Sequence, residues 1–254
     1  MAEIIVGMIP ARYASTRFPG KPLALLAGKP MILHVLEAAS RSRQLSALYV
    51  LTDDDRIAKV VSEAGGSVIM TDPQLPSGTD RIAAAITDLA GDIFVNIQGD
   101  EPLIEAEVID ATLQALLDDQ LAQVATPVRI ARRVEDVLSR NSAKVVIDQS
   151  GAALYFSRAP IPCRRDTEDA ELIAADHLLH IGLYVYRRSV LERFGKLTSS
   201  LEQLEKLEQL RFIENGIRVQ TQLVDYSPLG VDSPEDLRQV EELLRQRKQK
   251  AKSE

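Results

Sequence analysis

Between Pro10 and Pro22 the chain reads Pro-Ala-Arg-Tyr-Ala-Ser-Thr-Arg-Phe-Pro-Gly-Lys-Pro, which gathers three cations, two hydroxyls and a glycine on one short stretch. That composition suits a polyphosphate. Arg12 and Arg17 can each donate a planar, two-pronged set of hydrogen bonds to phosphate oxygens, and Lys21 adds a compact charge beside the adaptable backbone of Gly20. Ser15 and Thr16 supply further donors. The stretch is not a Walker motif, because the first glycine of that motif is missing and Pro22 stands where its metal-binding hydroxyl would be. A solvated basic loop would have the same composition, so the stretch gains meaning only from what lies near it in the fold.

Two carboxylates fall in equivalent places. Asp100 follows an apolar run in Gly99-Asp100-Glu101-Pro102, and Asp232 follows another in Gly230-Val231-Asp232-Ser233-Pro234-Glu235-Asp236. Magnesium takes one or two protein carboxylates and fills its octahedron with water and phosphate oxygens, so the pair is a candidate metal site. Asp100 and Glu101 would also serve as ordinary turn residues. Asp232 could instead cap a helix, but Ser233 and Asp236 already account for capping chemistry, which leaves Asp232 without a structural duty.

These residues need a frame that brings distant loops together. Apolar runs alternate with amphipathic patterns: strand 4–9, helix 30–42, strand 47–52, helix 54–64, strand 67–70, helix 79–89, strand 93–98, helix 106–118 and strand 124–130. The alternation predicts an α/β fold with a mostly parallel, doubly wound sheet. In such sheets ligands bind outside the carboxyl ends of the strands, where the loops carrying Arg12, Asp100 and Asp232 would emerge. From about 132 to 187 consecutive strand-like runs, 144–148, 153–157 and 180–187, predict an antiparallel insertion. A helix is expected over 201–215, ended by Gly216, then strand 217–224 and a last helix capped by Ser233 with Pro234 in its first turn. The expectation is one continuous domain over 1–254, with no internal repeat.

Composition narrows the function classes. The chain has 254 residues, 45% hydrophobic content and a formal charge of −7. A net negative charge opposes nucleic acid and anionic lipid, whose binding rests on Lys and Arg. No apolar run approaches a membrane span, and the amino terminus lacks the pattern of a signal peptide. One cysteine, Cys163, and three histidines offer neither an internal disulfide nor zinc-ligand spacing, so a reducing, cytoplasmic setting is expected.

At these residues the sequence resembles the 3-deoxy-manno-octulosonate (Kdo) cytidylyltransferase family, also called CMP-Kdo synthetases. The likeness runs nearly end to end through Pro10–Pro22, Ser77–Arg81, Asn96–Pro102, Ala153–Arg158, His180–Tyr184, Leu207–Arg211 and Gly230–Asp232. The resemblance implies a nucleotide-diphospho-sugar transferase fold, CTP and Kdo as substrates, magnesium on Asp100 and Asp232, and a homodimer joined through the 132–187 insertion. It places CTP at Pro10, Ala11, Arg12, Ser15, Thr16, Arg17, Lys21, Ser77, Gly78, Thr79 and Arg81. It places the sugar at Gln98, Arg158, His180, Tyr184, Glu208 and Gln209, and makes Arg12, Arg17, Lys21, Asp100 and Asp232 the catalytic set. The implied reaction gives CMP-Kdo and pyrophosphate, for lipopolysaccharide biosynthesis.

The residues support these roles unevenly. Arg158 suits a sugar carboxylate, since two-pronged pairing with an acid is what a guanidinium does best. Glu208 and Gln209 read as ordinary helix residues, and His180 as a strand-end histidine satisfied by hydrogen bonding. After Ile161-Pro162 the family often has an aromatic residue where this chain has Cys163, so the bordering loop is expected to differ in shape. The rival readings are transfer to another acidic sugar, such as sialic acid or an amino analogue of Kdo, a nicotinamide oxidoreductase, and a non-catalytic nucleotide-binding module. The oxidoreductase lacks its glycine fingerprint here.

Overall fold

The computed structural model describes residues 3–14, 18–163, 165 and 174–250, with the main chain alone for 247–250. The chain divides into two compact units, residues 1–109 with 228–254, and residues 110–227.

The first unit begins with β1 (Ile5–Ala11), a short hairpin of β2 (Leu25–Leu26) and β3 (Lys29–Pro30), α1 (Met31–Ala39), β4 (Ala47–Thr52), α2 (Asp55–Glu63), β5 (Ser67–Met70), α3 (Gly78–Ala85) and β6 (Ile93–Asn96). The main strands lie in the order β5-β4-β1-β6, and each neighbouring pair is parallel. Covered on both faces, parallel strands become continuous apolar runs. Ile5, Val6, Met8 and Ile9 of β1 and Ile93, Phe94 and Val95 of β6 are buried accordingly. Each fully buried aliphatic chain contributes about 1.5–3 kcal/mol over leaving it exposed.

The order of the strands fixes where a ligand crevice can form. From β1 the chain steps outward to β4 and β5, then α3 carries it back across β1 to β6 on the other side. The reversal falls between β1 and β6, so their carboxyl ends border the crevice expected at such a switch point. The helices start where their caps dictate. Asp54 accepts a hydrogen bond from the Arg56 backbone N–H (3.0 Å) at the head of α2, and Ser77 accepts one from Asp80 N–H (3.1 Å) at the head of α3.

From this unit α4 (Ala106–Asp118) leads into the second, which comprises β7 (Val124–Ile130), α5 (Val134–Leu138), β8 (Lys144–Ile147), β9 (Ala153–Ser157), β10 (Leu178–His180), β11 (Tyr184–Arg187), α6 (Arg188–Phe194), α7 (Ser200–Glu205), α8 (Gln209–Glu214) and β12 (Val219–Leu223). Strand β7 pairs antiparallel with β10 and β11 and parallel with β12, while β8 pairs antiparallel with β9 and β10. Antiparallel pairing is therefore concentrated in the second unit, and it takes in β7 as well as the 132–187 stretch. The chain then returns to the first unit as α9 (Pro234–Lys250). There Val231 and Val240 pack with Leu26, Met31 and Leu103, which anchors the segment carrying Asp232.

Two expected elements are broken. The single helix over 201–215 is α7 followed by α8, because Lys206 takes a left-handed conformation (φ 54°) between them. The strand over 180–187 is split into β10 and β11, with a turn closed by Leu183 N–H donating to Ile181 C=O (2.8 Å). Gly216, at φ 68°, ends α8 as expected.

Candidate active site

Three loops of the first unit meet at the switch point. Gly99, just after β6, lies so close to the end of β1 that a Cβ on it would sit 2.6 Å from the Pro10 carbonyl oxygen, so only glycine fits. The Val231 backbone N–H donates to the Asp100 carbonyl (2.9 Å) and ties the third loop to the second. Lys21 stands between the two predicted carboxylates, its Nζ 2.7 Å from Asp100 Oδ2 and 3.1 Å from Asp232 Oδ1. One cation is thus held by two acids from segments 132 positions apart in sequence.

Local packing aims Lys21. Gly20 is left-handed (φ 72°), its N–H donates to the Tyr13 carbonyl (2.9 Å), and a side chain there would press on the Tyr13 ring at 3.1 Å. The Arg56 guanidinium, itself paired with Asp54, lies over the face of that ring, 3.4 Å from its centre. Arg12 leaves the end of β1 half-buried. Ser15, Thr16 and Arg17 lie outside the described residues.

The cap of α9 is made by Ser233 and Asp236, while the Asp232 carboxylate pairs with Lys21. Ser233 Oγ accepts from Asp236 N–H (3.2 Å), and Asp236 Oδ2 accepts from the N–H groups of Asp232 (3.0 Å) and Ser233 (2.9 Å), a reciprocal capping box. Among the described residues no group of three or more His, Cys, Asp or Glu side chains is placed to hold a metal. Two carboxylates already converging on a cation fit an ion that draws its remaining ligands from water and phosphate.

The residues expected near cytidine are structural participants as well. Ser77 caps α3, Gly78 lies against the Pro10 ring, and buried Thr79 accepts from Asn96 Nδ2 (3.3 Å). Arg81 is wholly buried. It donates to Asp53 Oδ2 (3.1 Å) and to Thr71 Oγ1, and burial, aided by the nearby Arg12 charge, lowers its pKa against the pull of Asp53. Gln98 is half-buried beside Gly99.

The other candidates belong to the second unit and form a continuous polar chain there. Buried Tyr184 donates its hydroxyl to Gln209 Oε1 (3.0 Å), and Gln209 Nε2 reaches His180 Nδ1 (3.4 Å). His180 Nε2 meets Thr126 Oγ1 (2.8 Å), which donates to the Leu183 carbonyl (2.7 Å). This direction of donation puts the imidazole proton on Nε2. Packed edge-on to Phe156 and against Tyr184, the ring is shielded from water, which pushes its pKa down to about 3 and keeps it neutral. Removal from water likewise raises the Tyr184 phenol well above its ordinary value. Glu208 is the residue ahead of α8, half-buried.

Arg158 is placed differently from a simple anion receptor. Its Nε donates to the Glu205 carbonyl (2.7 Å) and its terminal nitrogens donate to the Arg140 (2.8 Å) and Lys206 (3.0 Å) carbonyls. Glu205 also closes on Arg158 N–H (2.9 Å) and Ser157 Oγ (2.7 Å). Sequence reasoning missed Glu205, Thr126, Asp53 and Lys144, the residues that brace the named ones. Their signal was faint: only Lys144, charged at the head of the apolar run Lys-Val-Val-Ile, is out of keeping with its surroundings. Cys163 is exposed, and residues 164 and 166–173 lie outside the described residues.

Comparison with known proteins places the chain in a family. The profile of a family described as Cytidylyltransferase matches residues 6–220. The 3-deoxy-manno-octulosonate cytidylyltransferase of Geobacter sulfurreducens is 47% identical over 248 residues, 95% of this chain and 99% of the relative. That of Pelobacter propionicus is 47% identical over 248 residues, 95% and 97% of the two chains. A solved structure of CMP:2-keto-3-deoxy-manno-octonic acid synthetase complexed with CTP superposes with a TM-score of 0.89 at 41% identity, covering 96% of this chain and 99% of the other. On these grounds the chain belongs to the 3-deoxy-manno-octulosonate cytidylyltransferase family.

Proposed function

We propose that this protein transfers the cytidylyl group of CTP to the anomeric hydroxyl of Kdo, giving CMP-Kdo and pyrophosphate. The observation that carries the reading is Lys21 held between Asp100 and Asp232 at the reversal of the sheet, in a chain whose relatives bear this activity's name. Transfer to sialic acid or an amino analogue is not favoured by those relatives.

The sugar hydroxyl attacks the α-phosphorus in line, its oxygen–phosphorus bond forming as the bond to pyrophosphate breaks and the hydroxyl proton is lost to solvent, and no residue becomes covalently modified. Asp100 and Asp232 would hold Mg²⁺, which when bound supplies Lewis-acid polarisation of phosphoryl oxygen. Arg12, Arg17 and Lys21 offset charge on the departing pyrophosphate, an electrostatic contribution to the transition state. Lys21 starts from an ion pair with the acids and would turn to phosphate when nucleotide enters. Gln209, held by the Tyr184 hydroxyl and by neutral His180, would turn its second amide N–H to the acid sugar, and the Arg158 N–H groups left over from its carbonyl contacts would be available to the sugar carboxylate.

The same proposal has the protein acting as a homodimer in the cytoplasm, on the route to lipopolysaccharide. No helix among the described residues is long and apolar enough to cross a membrane. A pyrophosphate-release assay tests the reaction: CTP, Kdo and Mg²⁺ together should give sustained release, and omission of any one should abolish it. Equal release with sialic acid in place of Kdo would overturn the acceptor assignment.

A further inference from the structure

Lys144 is the first residue of β8, and its side chain is completely buried. Its ammonium has three donors and three main-chain acceptors: the carbonyls of Ser139 (2.8 Å), Ser142 (2.7 Å) and Arg158 (2.6 Å). Two of these acceptors lie in the turn before β8 and the third just beyond β9. The lysine therefore ties the 139–142 turn to the main chain at Arg158.

The contacts continue outward from Arg158. Its guanidinium holds the carbonyls of Arg140, Glu205 and Lys206, and the Glu205 carboxylate holds Ser157 and the Arg158 N–H. Lys206 is left-handed (φ 54°) although it is not glycine, a conformation that surrounding contacts must maintain. Leu207, Glu208 and Gln209 follow directly, and Gln209 reaches Tyr184 and His180.

We propose that Lys144 is a positioning residue for the acid-sugar half of the site, setting the Arg158 main chain and, through the Arg158 guanidinium, the 205–209 turn that presents Glu208 and Gln209. The inference rests on the functional reading above. Lys144 itself touches no substrate.

The placement also makes the sugar half sensitive to alkali. Burial pushes the Lys144 ammonium down to about 8; the nearby Arg158 charge acts in the same direction and Glu205 opposes both. Above that pH the amine has lost one donor, and one of the three buried carbonyls goes without its hydrogen bond. The effect on overall stability has the opposite sign. Between about 8 and 10.5 the unfolded chain holds the proton more tightly than the folded one, so this group's contribution to stability rises with pH across that window. A loss of sugar recognition there is consequently local.

The test uses the whole enzyme and Lys144→Met, which keeps the length of the side chain and removes the ammonium. Expected are a Kdo KM raised by about tenfold or more, as for a misplaced binding group, an unchanged CTP KM, and faster hydrogen exchange in 139–142 and 205–209. In the wild type kcat/KM for Kdo should fall as pH rises through about 8 while that for CTP does not, and the fall should be absent from the variant. Equal effects on both substrates, or a variant with the wild-type profile, would overturn the proposal. Should Lys144→Met fail to fold, the wild-type profiles decide: parallel curves for the two substrates would refute it. A wild type that folds yet makes no product from CTP and Kdo would refute the functional reading instead.

Discussion

Asp232→Asn separates the two duties that a carboxylate ahead of a helix can have. Asparagine is as good a cap as aspartate, and the cap of α9 is in any case made by Ser233 and Asp236. What the substitution removes is the charge in the ion pair with Lys21. With Asp232 46% exposed, that pair contributes about 0–1 kcal/mol, the range of solvent-accessible salt bridges. For a chain of this size 1 kcal/mol moves the melting temperature by about 2–4 °C, so the Asn variant should melt within a few degrees of wild type. Its turnover should nevertheless fall by about a hundredfold, the scale for removing a charge that acts on the transition state, and recover in part with excess Mg²⁺. Ser233→Ala should do the reverse. Loss of the cap costs about 1 kcal/mol, with the rate little changed. Melting curves and a Mg²⁺ titration of turnover on both variants check the pair of outcomes. An Asn variant with normal rate and normal Mg²⁺ dependence would refute the role given to Asp232.

Other substitutions probe the remaining parts. Gly99→Ala forces a Cβ to within 2.6 Å of the Pro10 carbonyl oxygen, so the β1 and β6 loops must part; a loss of about 1–3 kcal/mol in a denaturant titration, with a lower rate, is expected. Tyr184→Phe removes the donor to Gln209 Oε1 in a buried setting, and a calorimetric loss of about 1–3 kcal/mol should accompany a raised Kdo KM with the CTP KM unchanged. Because His180 is neutral in the folded protein down to about pH 3, the unfolded chain alone takes up its proton as pH falls below about 6.5, so stability declines toward acid. By pH 5 that loss amounts to up to about 2 kcal/mol, and melting temperatures across pH 5–7 should show a shallower slope in His180→Asn.

The parts legible in the sequence are those dictated by burial. Fully covered parallel strands leave uninterrupted apolar runs such as Ile5–Ile9 and Ile93–Val95, and the loops beyond them carry the Arg, Lys and Asp residues that stand out by type. The break between α7 and α8 left no such trace. Leu201, Leu204, Leu207 and Leu210 repeat at helical spacing, yet Leu204 is 79% exposed, so the repeat does not mark one buried face. What stops the helix is Lys206 in a left-handed conformation, with the Arg158 guanidinium on its carbonyl, a contact 48 residues away in sequence. The split at β10 and β11 had a local hint in Gly182, but Thr126 completes it by donating to the Leu183 carbonyl (2.7 Å), with the Ile181 carbonyl 3.2 Å away. Lys144 was hidden because its partners are backbone carbonyls, which every sequence possesses, and Glu205 because its partners, Ser157 and Arg158, lie far from it in sequence.

Fate of isotope reads the proposed chemistry most directly. With CTP labelled at the α-phosphate, Kdo and Mg²⁺, the label should move onto the sugar product in equal amount to the pyrophosphate released. With CTP labelled at the γ-phosphate, all label should leave as pyrophosphate. Transfer of the γ-label to the sugar, or release of the α-label as free CMP without sugar nucleotide, would contradict cytidylyl transfer as the activity of this protein.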